Sequence, residues 1–132
     1  MEAEVGGGQV LYLYGVVPSG QPLPASDVVP LQAIPFSTLV ALVEPVPASE
    51  FSPETLEQRL QSVDWVAPLA RKHTAVLEDA MQHGPVFPAR LCTLFTSATA
   101  LTNSLAENEQ RFHEALSLLR GRQEWGLKMF CY

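Results

Sequence analysis

Residues 10–17 read VLYLYGVV, a run of apolar, aromatic and β-branched side chains interrupted only by Gly15. Such residues favour β-strands. Because both alternating faces of the run are apolar, it predicts a central strand of a sheet. The prolines, glycine and serines of residues 18–27 predict a loop after this strand.

The next two segments predict a hairpin beside the first strand. Residues 38–46 (TLVALVEPV) predict a strand that ends among prolines. Residues 28–36 predict a short extended segment, in which Pro30 and Pro35 lack backbone donors. That restricts the segment to an edge strand or an irregular arm. Two extended segments joined by a short link are typical of a β-hairpin.

Helical signals begin at residues 52–54 (Ser-Pro-Glu), which match an N-cap, a proline at the first helical position and an early acid. Asp64 predicts the cap of a second helix, which begins at Trp65, holds Pro68 in its first turn and ends before Gly84. Its predicted buried stripe has helical spacing and consists of Val66, Leu69, Ala70, His73, Val76, Leu77 and Ala80.

The last third of the chain predicts a strand, a helix and a strand. Residues 86–95 (VFPARLCTLF) and 124–132 (EWGLKMFCY) are the strands. Between them, Ser97 predicts the cap of one long helix that continues to Arg120. The second strand closes the predicted fold.

This order of elements predicts an α+β fold, namely a ferredoxin-like two-layer sandwich with a mixed or antiparallel sheet and helices packed on one face. Residues 1–8 end in three glycines and predict a flexible tail. Residues 9–132 predict a single domain, because a chain of 132 residues suits one core.

Charge and composition exclude several classes of partner. The net charge is −6, and no Lys or Arg precedes Arg59. Nucleic acid and anionic membranes both require a basic surface, so we expect neither. The sequence lacks a positively charged signal-peptide start and an apolar run of about 20 residues. With only Cys92 and Cys131 present, reduced thiols in a cytoplasm are expected, although neighbouring strands would allow a bridge.

His73 and Cys92 are the residues with the most direct catalytic interpretation. His73 is either a general base or metal ligand, or a partly buried histidine bonded to a neighbouring strand or loop. The second interpretation is favoured, because no HExxH, CxxC or HxH spacing occurs. Cys92 would be a nucleophile only within hydrogen-bonding reach of His73; a buried strand residue is the simpler interpretation. We therefore predict no enzyme, no metal and no cofactor.

Arg90, Trp65 and Trp125 are candidates for binding a partner or for internal structure. Arg90 lies mid-strand among apolar neighbours, so it either anchors a partner's carboxylate or pairs internally with Glu44 or Glu124. Trp65 and Trp125 either stack on a ligand or serve as core or interface aromatics.

Several strings resemble, in their order and spacing, the GvpL/GvpF family of gas vesicle proteins. They are 12–17 (YLYGVV), 39–43 (LVALV), Trp65 with 69–70 (LA), 73–77 (HTAVL), 85–95 (PVFPARLCTLF) and 124–128 (EWGLK). Two features depart from the family pattern. Cys92 stands where a small residue, often glycine, is expected, and full-length members continue past the EWG string into a further region that is absent here.

The resemblance implies an accessory or minor structural protein of gas vesicle assembly, hence of buoyancy, located in the cytoplasm and on the gas vesicle. It implies contact with the apolar shell protein GvpA and with other accessory proteins, and no enzymatic activity or cofactor. Segment 28–36 would be the edge that adds a partner strand, or its prolines would block such pairing. Two alternatives are a ferredoxin-like small-ligand-binding or oligomerisation module without catalytic activity, and a small Cys- or His-dependent enzyme.

Overall fold

A computed structural model of the chain describes residues 8–23 and 30–121, with side chains described up to residue 118. One antiparallel sheet contains, in the order β2-β3-β1-β4, the strands β1 (Gln9–Pro18), β2 (Gln32–Phe36), β3 (Leu39–Pro47) and β4 (Phe87–Phe95). The helices are α1 (Pro53–Arg59), α2 (Val63–Met81), α3 (Ala98–Glu107) and α4 (Glu109–Gly121). The predicted α+β class is confirmed, and the sheet with its helices is consistent with a ferredoxin-like sandwich. The predicted strand 124–132 and residues 1–7 of the predicted tail lie outside the described residues.

Both faces of the sheet are covered by helices. One face of β1 buries Leu11, Leu13 and Val16 in a core shared with α3 and α4. The other face buries Tyr12, Tyr14 and Val17 in a core shared with α2. The prediction that the helices pack on one face is therefore wrong in this respect. The physical reason is the two-sided apolar character of β1, since each face needs its own apolar cover.

A bulge in β1 fixes which side chains enter each core. Leu13 pairs with Val43 and Gly15 pairs with Leu42, so Tyr14 is an extra residue in the ladder. Gly15 lies where β1 comes close to Leu77 of α2 and to residues 86–87 at the start of β4. A Cβ atom built there would lie 3.0 Å from the Phe87 carbonyl oxygen and 3.1 Å from side-chain atoms of Leu77 and Val86. Only glycine leaves room for this approach.

The predicted hairpin is confirmed, and β2 is an edge strand. Phe36 pairs with Leu39 across a two-residue turn, in which Ser37 has a φ of 55°. The turn is tied to α4, because the Ser37 hydroxyl donates to Glu109 over 2.8 Å and Thr38 Oγ1 shares a 2.6 Å hydrogen bond with His113 Nε2.

The start of the first helix is as predicted. Ser52 is the N-cap of α1, and its hydroxyl accepts from the Thr55 N–H over 3.3 Å. The second helix, in contrast, begins earlier than predicted. Ser62 rather than Asp64 is the cap of α2, so Pro68 lies inside the helix beyond the first turn. The Asp64 carbonyl consequently loses a helical donor, and it lies in an exposed residue that water can reach.

The predicted long helix is divided at Asn108 into α3 and α4. The Asn108 backbone adopts φ −119° and ψ 14°, and its N–H bonds to the Leu105 carbonyl. Its side-chain amide donates to the Ser104 carbonyl over 2.9 Å, in place of the usual backbone donor. The apolar stripe still reaches the sheet through Leu101, Leu105, Phe112 and Leu116. None of the described helices combines the length and the hydropathy that spanning a bilayer requires.

We expect Gly15→Ala to lower the free energy of unfolding by about 1–3 kcal/mol, because the added methyl group meets backbone as well as side-chain atoms. Urea unfolding of both forms measures this effect. Ser19→Ala, at the exposed end of the same strand, is the control and should change little. An unchanged Gly15→Ala protein would contradict the close approach of β1 and α2.

Candidate functional site

A buried chain of hydrogen bonds connects β1, α2 and β4. The Tyr12 hydroxyl lies 2.8 Å from His73 Nδ1, and His73 Nε2 lies 2.9 Å from the Ala89 carbonyl oxygen. A carbonyl only accepts, so Nε2 carries the proton and Nδ1 accepts from Tyr12. The Tyr12 oxygen also accepts from the Cys92 N–H over 3.2 Å. Both ring nitrogens of His73 are thus hydrogen-bonded to neutral groups.

The environment of His73 favours its neutral form. Burial lowers the pKa of His73 below the ordinary value of 6.5, and the bond to Ala89 opposes this shift only in part. Burial likewise raises the pKa of Tyr12, so its hydroxyl keeps the proton that it donates. These two side chains therefore form a neutral bonded pair near neutral pH.

The bonds of this chain hold an irregular part of β4. Thr93 pairs with Leu13 and Pro88 pairs with Gly15, so residues 89–92 bulge outward opposite Tyr14. Cys92 has a φ of 64°, a left-handed conformation that non-glycine residues rarely adopt. Glycine would adopt this conformation without the steric cost that a side chain carries. Tyr12 and His73 satisfy the backbone groups that the bulge removes from the ladder.

A second polar group lies beside the first. The Tyr14 hydroxyl donates to Glu44 Oε1 over 2.7 Å, and Lys72 Nζ lies 3.4 Å from the same oxygen. Glu44 is only 9% exposed, and Lys72 precedes His73 on α2. Burial, followed by the bond to Glu44, raises the pKa of Tyr14. A nearly buried carboxylate is stabilised here by one hydroxyl and one ammonium group.

Glu44 opens onto a groove between β3 and α2, which we call the α2–β3 groove. It has a volume of about 380 Å³ and is lined by Glu44, Val46, Pro47, Glu50, Phe51, Asp64, Trp65, Pro68, Leu69 and Lys72. Apolar side chains and carboxylates therefore share its surface.

The structure separates the candidate residues of the sequence. Arg90 is exposed on the bulge of β4, and the described residues give it no ion pair; Glu44 is taken by Tyr14 and Lys72 instead. Trp65 lies half-buried in the α2–β3 groove, 5.7 Å from the Phe51 ring and 5.6 Å from the Arg59 guanidinium. Trp125, Glu124 and Cys131 lie outside the described residues, so neither the Arg90–Glu124 pair nor the Cys92–Cys131 bridge can be placed.

The geometry does not assemble a Cys92–His73 pair. Both nitrogens of His73 are bonded to Tyr12 and Ala89, and Cys92 contributes only its backbone N–H to this network. Burial also raises the pKa of the Cys92 thiol, which disfavours the nucleophilic thiolate. Within residues 8–23 and 30–121, no cluster of three His, Cys, Asp or Glu side chains is placed to hold a metal ion.

The sequence interpretation missed Tyr12, Tyr14 and Lys72 as members of a polar group. The sequence pattern predicts both tyrosines only as strand residues, although a buried tyrosine hydroxyl needs a partner. Their spacing of two residues on a strand put both hydroxyls on one face. That face is the one covered by α2, where Lys72 and His73 are adjacent.

Comparisons with known proteins agree on one family. The family model described as gas vesicle synthesis protein GvpL/GvpF matches residues 10–132. Gas vesicle protein L from Streptomyces sp. (strain CB03234) is 34% identical over 116 residues, which are 88% of this chain and 43% of that protein. The chain thus spans less than half the length of this curated relative. No solved structure matches this chain.

We expect Tyr12→Phe to destabilise the protein more than Tyr14→Phe. Removing the Tyr12 hydroxyl leaves the buried His73 Nδ1 and the partly buried Cys92 N–H unpaired, at a cost of about 2–4 kcal/mol. Removing the Tyr14 hydroxyl leaves Glu44 its ion pair with Lys72, so about 1–2 kcal/mol is expected. Denaturant unfolding measures both costs. Equal costs for the two matched variants would contradict the hydrogen-bond assignment.

The stability contribution of His73 depends on pH in a defined direction. Its folded-state pKa is lowered, so below pH 6.5 the unfolded chain binds a proton that the folded chain excludes. Stability should therefore fall as the pH drops below that value and stay level with respect to this group above it. Urea unfolding at about pH 7.5 and about pH 5.5 measures the difference. His73→Gln should reduce the difference, whereas the exposed control His83→Gln should retain it; equal slopes would argue against a neutral buried His73.

Proposed function

This chain belongs to the GvpL/GvpF family of gas vesicle synthesis proteins, and on that premise we propose that it is a non-enzymatic accessory or minor structural protein of gas vesicle assembly. It works in the cytoplasm and at the gas vesicle, where it binds the apolar shell protein GvpA and other accessory proteins. The observation that carries this proposal is the family match over residues 10–132.

The bonding of His73 and Cys92 supports a role without catalysis. His73 spends both ring nitrogens on internal bonds, and the Cys92 thiol is disfavoured as a thiolate. These bonds hold a bulge and two strands in place, which is a structural task. The described residues also include exposed apolar side chains, which can contact a partner protein.

An exposed apolar surface at the turn between α1 and α2 supports contact with an apolar partner. Leu60 is 47% exposed and Val63 is 78% exposed, and only two residues separate them. We call these two residues the α1–α2 apolar surface. Covering them with apolar atoms of a partner removes them from water, which is the usual driving force of association.

The β2 edge is a weaker contact for a partner strand. Pro35 lies within this short strand and offers no N–H to a further strand. Of the two interpretations of this segment, the structure therefore favours the one in which its proline limits unwanted strand pairing. Contact through the α1–α2 apolar surface, in contrast, does not require free backbone donors.

We expect this chain to capture co-expressed GvpA saturably, and Leu60→Ser with Val63→Ser to reduce that capture several-fold. Both side chains are exposed, so their replacement should leave the fold intact. A pull-down measures capture, and circular dichroism checks folding. Leu118→Ser, an equally exposed leucine on α4, is the matched control. Undiminished capture by the folded double variant would remove this surface from the proposal, and no capture by the parent chain would remove this domain as the shell contact.

A further inference from the structure

The α2–β3 groove combines an apolar floor with carboxylates. Its apolar lining includes Val46, Phe51, Trp65 and Leu69, and its carboxylates are Glu44, Glu50 and Asp64. Lys72 is the single basic residue of the lining. The groove therefore carries a net negative charge beside aromatic and aliphatic surface, an arrangement that suits a long cationic side chain.

The carboxylates of the groove are incompletely neutralised within the described residues. Both bonds that the structure gives Glu44 go to its Oε1 atom, and 12% of its side chain is exposed at the groove. Asp64 is exposed and forms no ion pair there. Glu50 pairs with Arg59 at 3.9 Å, with both side chains substantially exposed, which makes the pair weak. A carboxylate oxygen that neither Tyr14 nor Lys72 engages can accept a hydrogen bond from an incoming cationic donor.

Arg59 shows that this region accommodates a cation. Its guanidinium lies 5.6 Å from the centre of the Trp65 ring and 3.9 Å from Glu50 Oε1. An aromatic face and a carboxylate thus already hold one cationic head at the groove. The carboxylates of Asp64 and Glu44 and the ring of Phe51 line the same groove, so the same kinds of group are available to a second cation.

We propose that the α2–β3 groove docks a lysine- or arginine-bearing segment of a partner protein. The aliphatic stem of the partner's side chain packs on Trp65 and Leu69, and its cationic head bonds to the carboxylates. Charge complementarity selects this occupant, because the chain as a whole carries −6 and the groove shares that sign. That the partner is a gas vesicle component rests on the proposed function; the chemistry of the occupant rests on the groove.

A peptide labelled with fluorescein at its N-terminus, GALKALRAG-NH2, and its identically labelled counterpart with glutamine in place of lysine and arginine test the proposal. Fluorescence anisotropy should show binding of the basic peptide only, weakening with added salt because the contact is ionic. In NMR spectra the indole N–H signal of Trp65, assigned by its loss in Trp65→Phe, should shift during the titration. Absence of binding by the basic peptide, or equal binding of both peptides, would overturn the proposal.

Variants locate the contact. Glu50→Gln with Asp64→Asn should weaken binding about tenfold, because two exposed partner contacts are lost. Glu78→Gln with Glu107→Gln changes the net charge equally at exposed positions outside the groove lining and should weaken it far less. Equal weakening would reduce the effect to overall charge and overturn the proposal. So would a change of oligomeric state in the groove variant, since the occupant would then be a second copy of the chain.

Capture of GvpA by the groove variant separates this inference from the proposed function. If the variant loses the basic peptide but still captures GvpA, the groove serves another basic partner and the gas vesicle role stands. If the parent chain binds the peptide but no gas vesicle protein, the proposed function fails while the groove chemistry holds.

Discussion

Strand β1 is apolar on both faces, and the arrangement of the other elements follows from the need to cover each face. Helix α2 covers the face of Tyr12 and Tyr14, whereas α3 and α4 cover the face of Leu11 and Leu13. Neither layer can be removed without exposing a row of large side chains to water, at roughly 1.5–3 kcal/mol for each. The sheet therefore requires both helical layers for stability.

The polar bonds inside the α2 core allow β4 to depart from regular geometry. A bulge of residues 89–92 leaves backbone groups that must find other partners. Tyr12 and His73 supply them, and Tyr14 with Lys72 stabilises Glu44 a few ångströms away in the same layer. Side chains that a catalytic protein would hold ready for a substrate are here engaged in holding the backbone.

Much of the fold followed from local patterns, and the differences arose where tertiary structure decided. The β-branched runs predicted the strands, and the apolar spacing of α2 predicted its buried stripe. The packing of helices on two faces was already implied by the two-sided apolar character of residues 10–17, but which helix covers which face is set by crossings of the chain that no local pattern records. The break at Asn108 depends on a side-chain bond to Ser104, and the polar group around Tyr12 depends on residues far apart in sequence. The α2–β3 groove likewise depends on residues far apart in sequence, since Glu44 and Asp64 both line it.

The central position of β1 has a mechanical consequence. This strand is hydrogen-bonded along its length to β3 on one side and, around the bulge, to β4 on the other. Tension arriving at Gln9 acts along the strand, so both ladders are loaded in shear and many hydrogen bonds must break together. A force applied to the outer strand β2 meets only one ladder, with five paired positions from Gln32 to Phe36. The described part of the sheet is thus stiffer against pulling along its central strand than against pulling at β2.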